Sequence, residues 1–140
     1  MAMNKMVQES ARVLLADDHP AVAKELCALL QPEFDVIATV GDGDALLAAA
    51  HALAPDVIVS DIAMPGLDGI AAASEILRRN PAAQIVFVTV HDEAEMIKKS
   101  LAIGVMGYVL KVTAGEELVP AIHAALRGER HISRAQADNK

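Results

Sequence analysis

The sequence is short of aromatic side chains, of cysteine and of positive charge. It has no Trp, one Tyr and two Phe in 140 residues. A core without aromatic bulk must be filled by Ala, Val, Leu, Ile and Met, in keeping with a hydrophobic content of 54%. The one cysteine, Cys27, excludes an internal disulfide framework and a Cys-based zinc site. It falls in an apolar helical pattern and is expected as a small core residue. Lys and Arg total 12 against 19 Asp and Glu, a net charge of −7. Such a chain lacks the clustered cations that neutralise phosphates, so binding to nucleic acid by itself is not expected. No apolar run reaches membrane-spanning length, since the longest, Leu101 to Leu110, is interrupted by Gly104 and Gly107. The first ten residues have no apolar stretch of the signal-peptide kind and read as a loose tail. A cytoplasmic location is the expectation.

The length suits one domain, able to bury roughly two-thirds of the surface of its unfolded chain. Two kinds of segment alternate along it. Short continuous apolar runs at Val13–Ala16, Val36–Val40, Val57–Ser60, Ile85–Val90 and Tyr108–Leu110 have the look of parallel strands buried on both faces. Between and after them lie helical stripes. These are Val22/Leu26/Leu29, Leu46/Ala50/Leu53, Ile70/Ala73/Leu77, Ala94/Ile97/Leu101 and Leu118/Ile122/Ala125. The alternation predicts an α/β domain with a five-stranded parallel sheet and five helices. Asn80-Pro81 is expected to stop the third helix. Asp92 with Glu95, and Thr113 with Glu116, are spaced as capping boxes for the fourth and fifth. Pro120 falls within the fifth stripe and costs about 3 kcal/mol in a helix interior. A kink is expected there, or a helix that begins properly only after it. From Gly128 onward the pattern turns polar and reads as a linker or frayed tail.

Ligands of open parallel sheets bind beyond the carboxyl ends of the strands. The first strand ends at Asp17-Asp18, the third at Asp61 and the fifth at Lys111; the fourth carries Thr89, followed by His91-Asp92. Any one of these residues has a bland explanation, because strands turn polar where they meet water. Five together on one sheet edge do not. Clustered carboxylates repel one another and raise at least one pKa. A hard divalent cation such as Mg²⁺ relieves that repulsion through oxygen ligands. A carboxylate beside such an ion can act as nucleophile toward a phosphoryl group, with an ammonium and a hydroxyl to stabilise the transferred charge.

Four stretches carry a resemblance: Leu14-Leu15-Ala16-Asp17-Asp18-His19-Pro20, Asp61-Ile62-Ala63-Met64-Pro65-Gly66-Leu67-Asp68-Gly69, Val88-Thr89-Val90-His91-Asp92 and Gly107-Tyr108-Val109-Leu110-Lys111. Together they resemble a response-regulator receiver domain. The Asp-Asp-His-Pro start, the Thr-Val-His-Asp segment and the closing Arg127-Gly128-Glu129 resemble the NarL/FixJ (LuxR-type) group of two-component transcriptional regulators. The resemblance implies a flavodoxin-like, doubly wound sheet of order 2-1-3-4-5. It implies residues 1–10 as a tail, 11–129 as the receiver and 130–140 as a linker toward an output domain. Asp61 would be the phosphoacceptor, charged by a sensor histidine kinase or a phosphotransfer protein. Mg²⁺ would be held by Asp17, Asp18, Asp61 and the carbonyl of Ala63. Lys111 would pair with the phosphoryl group, and Thr89 with Tyr108 would form the switch pair. Homodimers would use the face of the fourth helix, fifth strand and fifth helix, or else the first and fifth helices. DNA would be reached only through an output domain that this chain does not contain; no membrane partner is implied. The domain would catalyse only its own phosphorylation and dephosphorylation.

The departures from the family pattern carry expectations of their own. Val90 stands where a small residue is usual and is expected to narrow access to Asp61. Val112 replaces a common proline, so a cis bond after Lys111 is not favoured. Ala63 cannot orient a water, which predicts a long-lived phosphoryl group; His91 occupies the other position that tunes attack by water. His19 is expected to help start the first helix, His51 and His123 to be partly buried surface residues, and His131 to lie in the tail. Arg78-Arg79 read as a solvated helix face, and Lys98-Lys99 as the same or as a partner contact. Val22 and Ala23 serve either packing or contact with the phosphodonor. Two other readings compete. A stand-alone receiver would serve as a phosphorelay shuttle or docking module, although the linker-like tail favours a longer transcription factor. An Asp-nucleophile phosphatase of the haloacid-dehalogenase kind wants a carboxylate two residues after the nucleophile, where this chain has Ala63.

Overall fold

The computed structural model describes residues 10–133. Nearly all of the expected N-terminal tail, and the linker beyond Ser133, lie outside the described residues. The elements are β1 (Arg12–Ala16), α1 (Pro20–Leu30), β2 (Asp35–Val40), α2 (Gly43–Leu53), β3 (Val57–Ser60), α3 (Gly69–Arg79), β4 (Ile85–Thr89), α4 (Ala94–Ala102), β5 (Gly107–Leu110), a 3₁₀ turn (Lys111–Thr113), α5 (Ala114–Leu126) and β6 (His131–Ile132). Every strand pair is parallel, in the order β2-β1-β3-β4-β5-β6. The expected order 2-1-3-4-5 is present, and β6 extends it by one strand. His131, expected in a tail, therefore sits in the sheet.

The runs in β1, β3, β4 and β5 are buried on both faces, because successive side chains point to opposite sides of a covered sheet. β2, at the sheet edge, is only partly buried, and Val90 lies beyond the end of β4, contrary to expectation. Val13, Leu15, Val57, Val59, Val86, Val88 and Val109 meet Leu26 and Leu30 of α1 and Leu118 and Ile122 of α5. Leu14, Ile58, Ile85, Phe87 and Tyr108 meet Leu46 of α2, Ala72 and Ile76 of α3 and Ile97 of α4. Cys27 is only partly buried and packs at the margin of the first layer.

Helix α5 runs unbroken through Pro120, contrary to the expected kink or late start. Pro120 and Glu116 both lie on the exposed side, so the carbonyl that loses its partner belongs to the water-facing turns. The proline's cost of about 3 kcal/mol is outweighed by burial of Leu118 and Ile122, each contributing about 1.5–3 kcal/mol, with Ala121, Ala124 and Ala125 besides. Neither expected capping box forms. The N-cap of α4 is Glu93, that of α5 is Thr113, and neither side chain caps its helix. Instead Asp42 accepts from Ala45 N–H at 2.7 Å, opening α2, and Asp68 accepts from Ala71 N–H at 2.8 Å, opening α3. Such caps contribute about 1 kcal/mol each. No helix among the described residues is long and apolar enough to cross a membrane.

Candidate functional site

The strand order places the ends of β1, β3, β4 and β5 side by side, and with them Asp17, Asp18, Asp61, Thr89 and Lys111. Asp17 and Asp61 are buried, at 3% and 4% exposure. The Lys111 ammonium lies between them, 2.9 Å from Asp17 Oδ2 and donating to Asp61 Oδ2 at 3.0 Å. Burial alone would lower the Lys111 pKa; the Asp17 and Asp61 carboxylates outweigh it and hold the ammonium above its ordinary value. The other Asp61 oxygen, Oδ1, accepts from Ile62 N–H at 2.7 Å, and Asp17 Oδ1 accepts from His19 N–H at 2.9 Å. The His19 ring lies 3.1 Å from Asp18 Oδ1. His19 is also the N-cap of α1, as expected of a helix-starting residue, though its side chain caps nothing.

Two buried oxygens are left over. Asp18 Oδ1, and Asp17 Oδ2 despite its ion pair, accept no hydrogen bond of normal geometry. Asp17, Asp18, His19 and Asp61 each offer a donor atom, all within 4.8 Å of one another. A buried polar atom without a partner is costly. Carboxylate oxygens in such a cluster fit a hard divalent cation, which one ammonium cannot replace.

The loop after Asp61 is held from behind. Gly69 N–H donates to the Ile62 carbonyl at 2.7 Å, and a Cβ on Gly69 would lie 2.1 Å from the Asp61 carbonyl oxygen. Only glycine permits this approach, which seats α3 under the Asp61 loop. Ala63 is exposed in that loop.

Thr89 is fully buried, and its Oγ1 accepts from His91 N–H at 3.2 Å. Tyr108 is fully buried as well; its hydroxyl donates to the His91 carbonyl at 2.7 Å, and its ring meets Phe87 edge-on. Burial, with the Glu93, Asp92 and Asp61 carboxylates, pushes the Tyr108 phenol well above its ordinary pKa. The two hydroxyl-bearing side chains thus converge on the His91 backbone. Val90 is 70% exposed and Val112 86%, so both apolar side chains stand out from the surface rather than packing into the core. No cis peptide occurs among the described residues, as the Lys111-Val112 sequence implied. His51 is exposed, whereas His123 is half-buried and paired with Glu33 on the far side of α5.

Comparison with known proteins settles the family. The response regulator receiver domain family matches residues 13–123. The chain belongs to that family. This receiver is 39% identical over 126 residues to the uncharacterized transcriptional regulatory protein YxjL of Bacillus subtilis, covering 89% of this chain and 58% of YxjL. It is 33% identical over 131 residues to the nitrate/nitrite response regulator NarL of Escherichia coli K12, covering 91% and 60%. The receiver thus spans little more than half the length of these curated relatives. Among solved structures, a LuxR-family two-component response regulator from Aurantimonas sp. SI85-9A1 superposes with a TM-score of 0.88 at 34% identity, over 93% of this chain and 94% of that one. The isolated receiver of RcsB from Salmonella enterica, solved with the phosphomimetic BeF₃⁻, gives 0.85 at 27% identity over 93% and 98%. The receiver is of the NarL/LuxR type.

Proposed function

We propose that Asp61 is the phosphoacceptor of this receiver and that a histidine kinase or phosphotransfer protein supplies the phosphoryl group. The observation that carries the reading is the Lys111 ammonium lying between the buried Asp17 and Asp61, in a cluster where Asp17, Asp18, His19 and Asp61 bring metal-ligating atoms within 4.8 Å of one another. An Asp61 oxygen attacks phosphorus, the bond from phosphorus to the donor nitrogen breaks, and its electron pair leaves with the donor imidazole. Lys111 offsets charge on the arriving oxygens. Asp17, Asp18, Asp61 and the Ala63 carbonyl are the candidate holders of Mg²⁺, which when bound supplies charge stabilisation to the transferring group. Thr89 and Tyr108 are the candidate switch pair, with His91 as the backbone both hydroxyls engage. The relative solved with a phosphomimetic supports the same chemistry.

The output we infer is transcriptional and reached through DNA binding outside the receiver fold, since YxjL is named a transcriptional regulatory protein, the response regulator RcsB is solved in complex with DNA, and the matched receiver covers only 58% of YxjL and 67% of that RcsB chain. β6 pairs along the edge of β5, and homodimers through the first and fifth helices, or through the face of the fourth helix, fifth strand and fifth helix, remain part of this reading. The test is incubation with a labelled small acyl phosphate. Label retained with Mg²⁺ and absent with a chelator supports the reading; retention that ignores the metal contradicts it. Because Ala63 has no polar group to hold a water, Ala63→Asn is expected to shorten retention by about tenfold, or ~1.4 kcal/mol of barrier.

A further inference from the structure

Lys111 follows directly on the end of a ladder. The last residues paired between β4 and β5 are Thr89 and Leu110, so the sheet fixes the chain only up to Leu110. Lys111 opens the 3₁₀ turn Lys111–Thr113, and its neighbour Val112, at 86% exposure, adds little packing to hold that turn. The ammonium nevertheless reaches Asp17 at 2.9 Å and Asp61 at 3.0 Å. The turn is held from the other edge of β5. Helix α5 ends where Gly128 takes a positive φ of 79°, and the chain folds back to run along β5 as β6. His131 N–H donates to the Met106 carbonyl at 3.0 Å and Ser133 N–H to the Tyr108 carbonyl at 2.8 Å.

Ser133 is fully buried, and its hydroxyl accepts from Leu110 N–H at 3.0 Å. Thr113 Oγ1 stands 3.3 Å from that hydroxyl and donates to the Leu110 carbonyl at 3.3 Å. The groups close a ring in which each is used once. Leu110 N–H donates to Ser133, the Ser133 hydroxyl to Thr113, and the Thr113 hydroxyl to the Leu110 carbonyl. Bonds joined in this way polarise one another. The ring ties the two ends of the turn, Leu110 and Thr113, to one side chain, and Lys111 lies between them. Without the Ser133 hydroxyl the Leu110 N–H would be buried with no acceptor, which is costly, and the turn would shift to relieve it. A shift of the turn is passed to the ammonium, which must sit between two carboxylates to meet a transferring phosphoryl group.

We propose that Ser133 is a positioning residue for the Lys111 ammonium. It acts by closing the turn that carries Lys111, not by contact with the reacting atoms. The segment after α5 is thereby part of the apparatus that sets the phosphorylation rate. The inference rests on the reading of Asp61 as phosphoacceptor and Lys111 as the cation that serves it.

Wild type, Ser133→Ala, Lys111→Met and the double variant are compared as full chains. The rate of labelling by a small acyl phosphate is measured at saturating Mg²⁺, and hydrogen exchange is followed at the Leu110 amide. Ser133→Ala should speed exchange at Leu110 about tenfold and slow labelling about tenfold, short of the roughly hundredfold that a 1 Å misplacement costs. In the Lys111→Met background the same substitution should still free the Leu110 amide but leave the labelling rate unchanged. A loss of stability alone does not produce that non-additivity. Equal slowing in both backgrounds overturns the proposal. So does wild-type labelling by Ser133→Ala, or a Leu110 amide indifferent to the substitution. A wild type that takes no label, or Lys111→Met labelling as fast as wild type, sinks the underlying reading of the site and the proposal with it. If Ser133→Ala does not fold, Thr113→Val, which breaks the same ring at its other hydroxyl, is judged by the same labelling rates.

Discussion

At the scale of single residues, the acidic site gathers more negative charge than its one ammonium balances. Asp17, Asp18 and Asp61 stand together with one ammonium between two of them, and the buried Asp17 Oδ2 and Asp18 Oδ1 have only an ion-pair contact each and no hydrogen bond of normal geometry. Removing one charge should therefore help the metal-free protein. Asp18→Asn is expected to raise its stability by about 1 kcal/mol, roughly 3–5 °C in Tm for a chain of this size. Mg²⁺ should reverse the order. At a hundredfold excess over Kd it should stabilise the wild type by about 2.7 kcal/mol and the variant far less. Thermal melts with Mg²⁺ and with chelator check both signs. A wild type indifferent to Mg²⁺ would contradict the cation reading. These site residues were legible in the sequence because strand ends in a parallel sheet must converge. The shared attachment of Thr89 and Tyr108 to the His91 backbone was not, since nothing in a residue string says where a hydroxyl points.

At the scale of elements, two contacts invite measurement. Gly69 seats the first turn of α3 against the Asp61 carbonyl, and an added Cβ there meets backbone, which cannot yield as a side chain can. Gly69→Ala is expected to cost about 3 kcal/mol, at the upper end for overpacking, and to slow phosphorylation by shifting the loop. Chemical denaturation gives the first quantity and label uptake the second. Unchanged stability would contradict the close approach. On the exposed side of the same helix, Arg78 and then Arg79 hold the Glu75 carboxyl at about 2, against an ordinary 4.5. A depressed carboxylate contributes stability above its unfolded pKa and loses it as pH falls through its folded pKa. Glu75→Gln should thus be slightly less stable than wild type at pH 7, with the gap closing between about pH 4.5 and pH 2 and shrinking in high salt. Melts across that range check it; a gap independent of pH would contradict the ion pair.

The helix starts show why some element boundaries were hidden. Asp92 with Glu95 and Thr113 with Glu116 have the capping-box spacing but cap nothing. Asp42 and Asp68, followed three residues on by Ala45 and Ala71, do cap. The pattern rule asks for a reciprocal acid, whereas the backbone needs only one well-placed carboxylate. Pro120 misled for a similar reason, because tertiary burial of its neighbours outweighs a local penalty.

At the scale of the whole molecule, the sheet was readable because each central strand is a continuous apolar run buried on both faces. The sixth strand was not, because Arg130-His131-Ile132-Ser133 has no periodicity. It is strand only because β5 offers an open edge and Ser133 can satisfy Leu110. The fold brings the strand ends into one site, and the account rests on Asp61 being the group that site serves. The most direct test is the intact mass of wild type and Asp61→Asn after incubation with Mg²⁺ and a small acyl phosphate. The account predicts a gain of one phosphoryl group in the wild type and none in the variant. An equal gain in both, or none in the wild type, would contradict it.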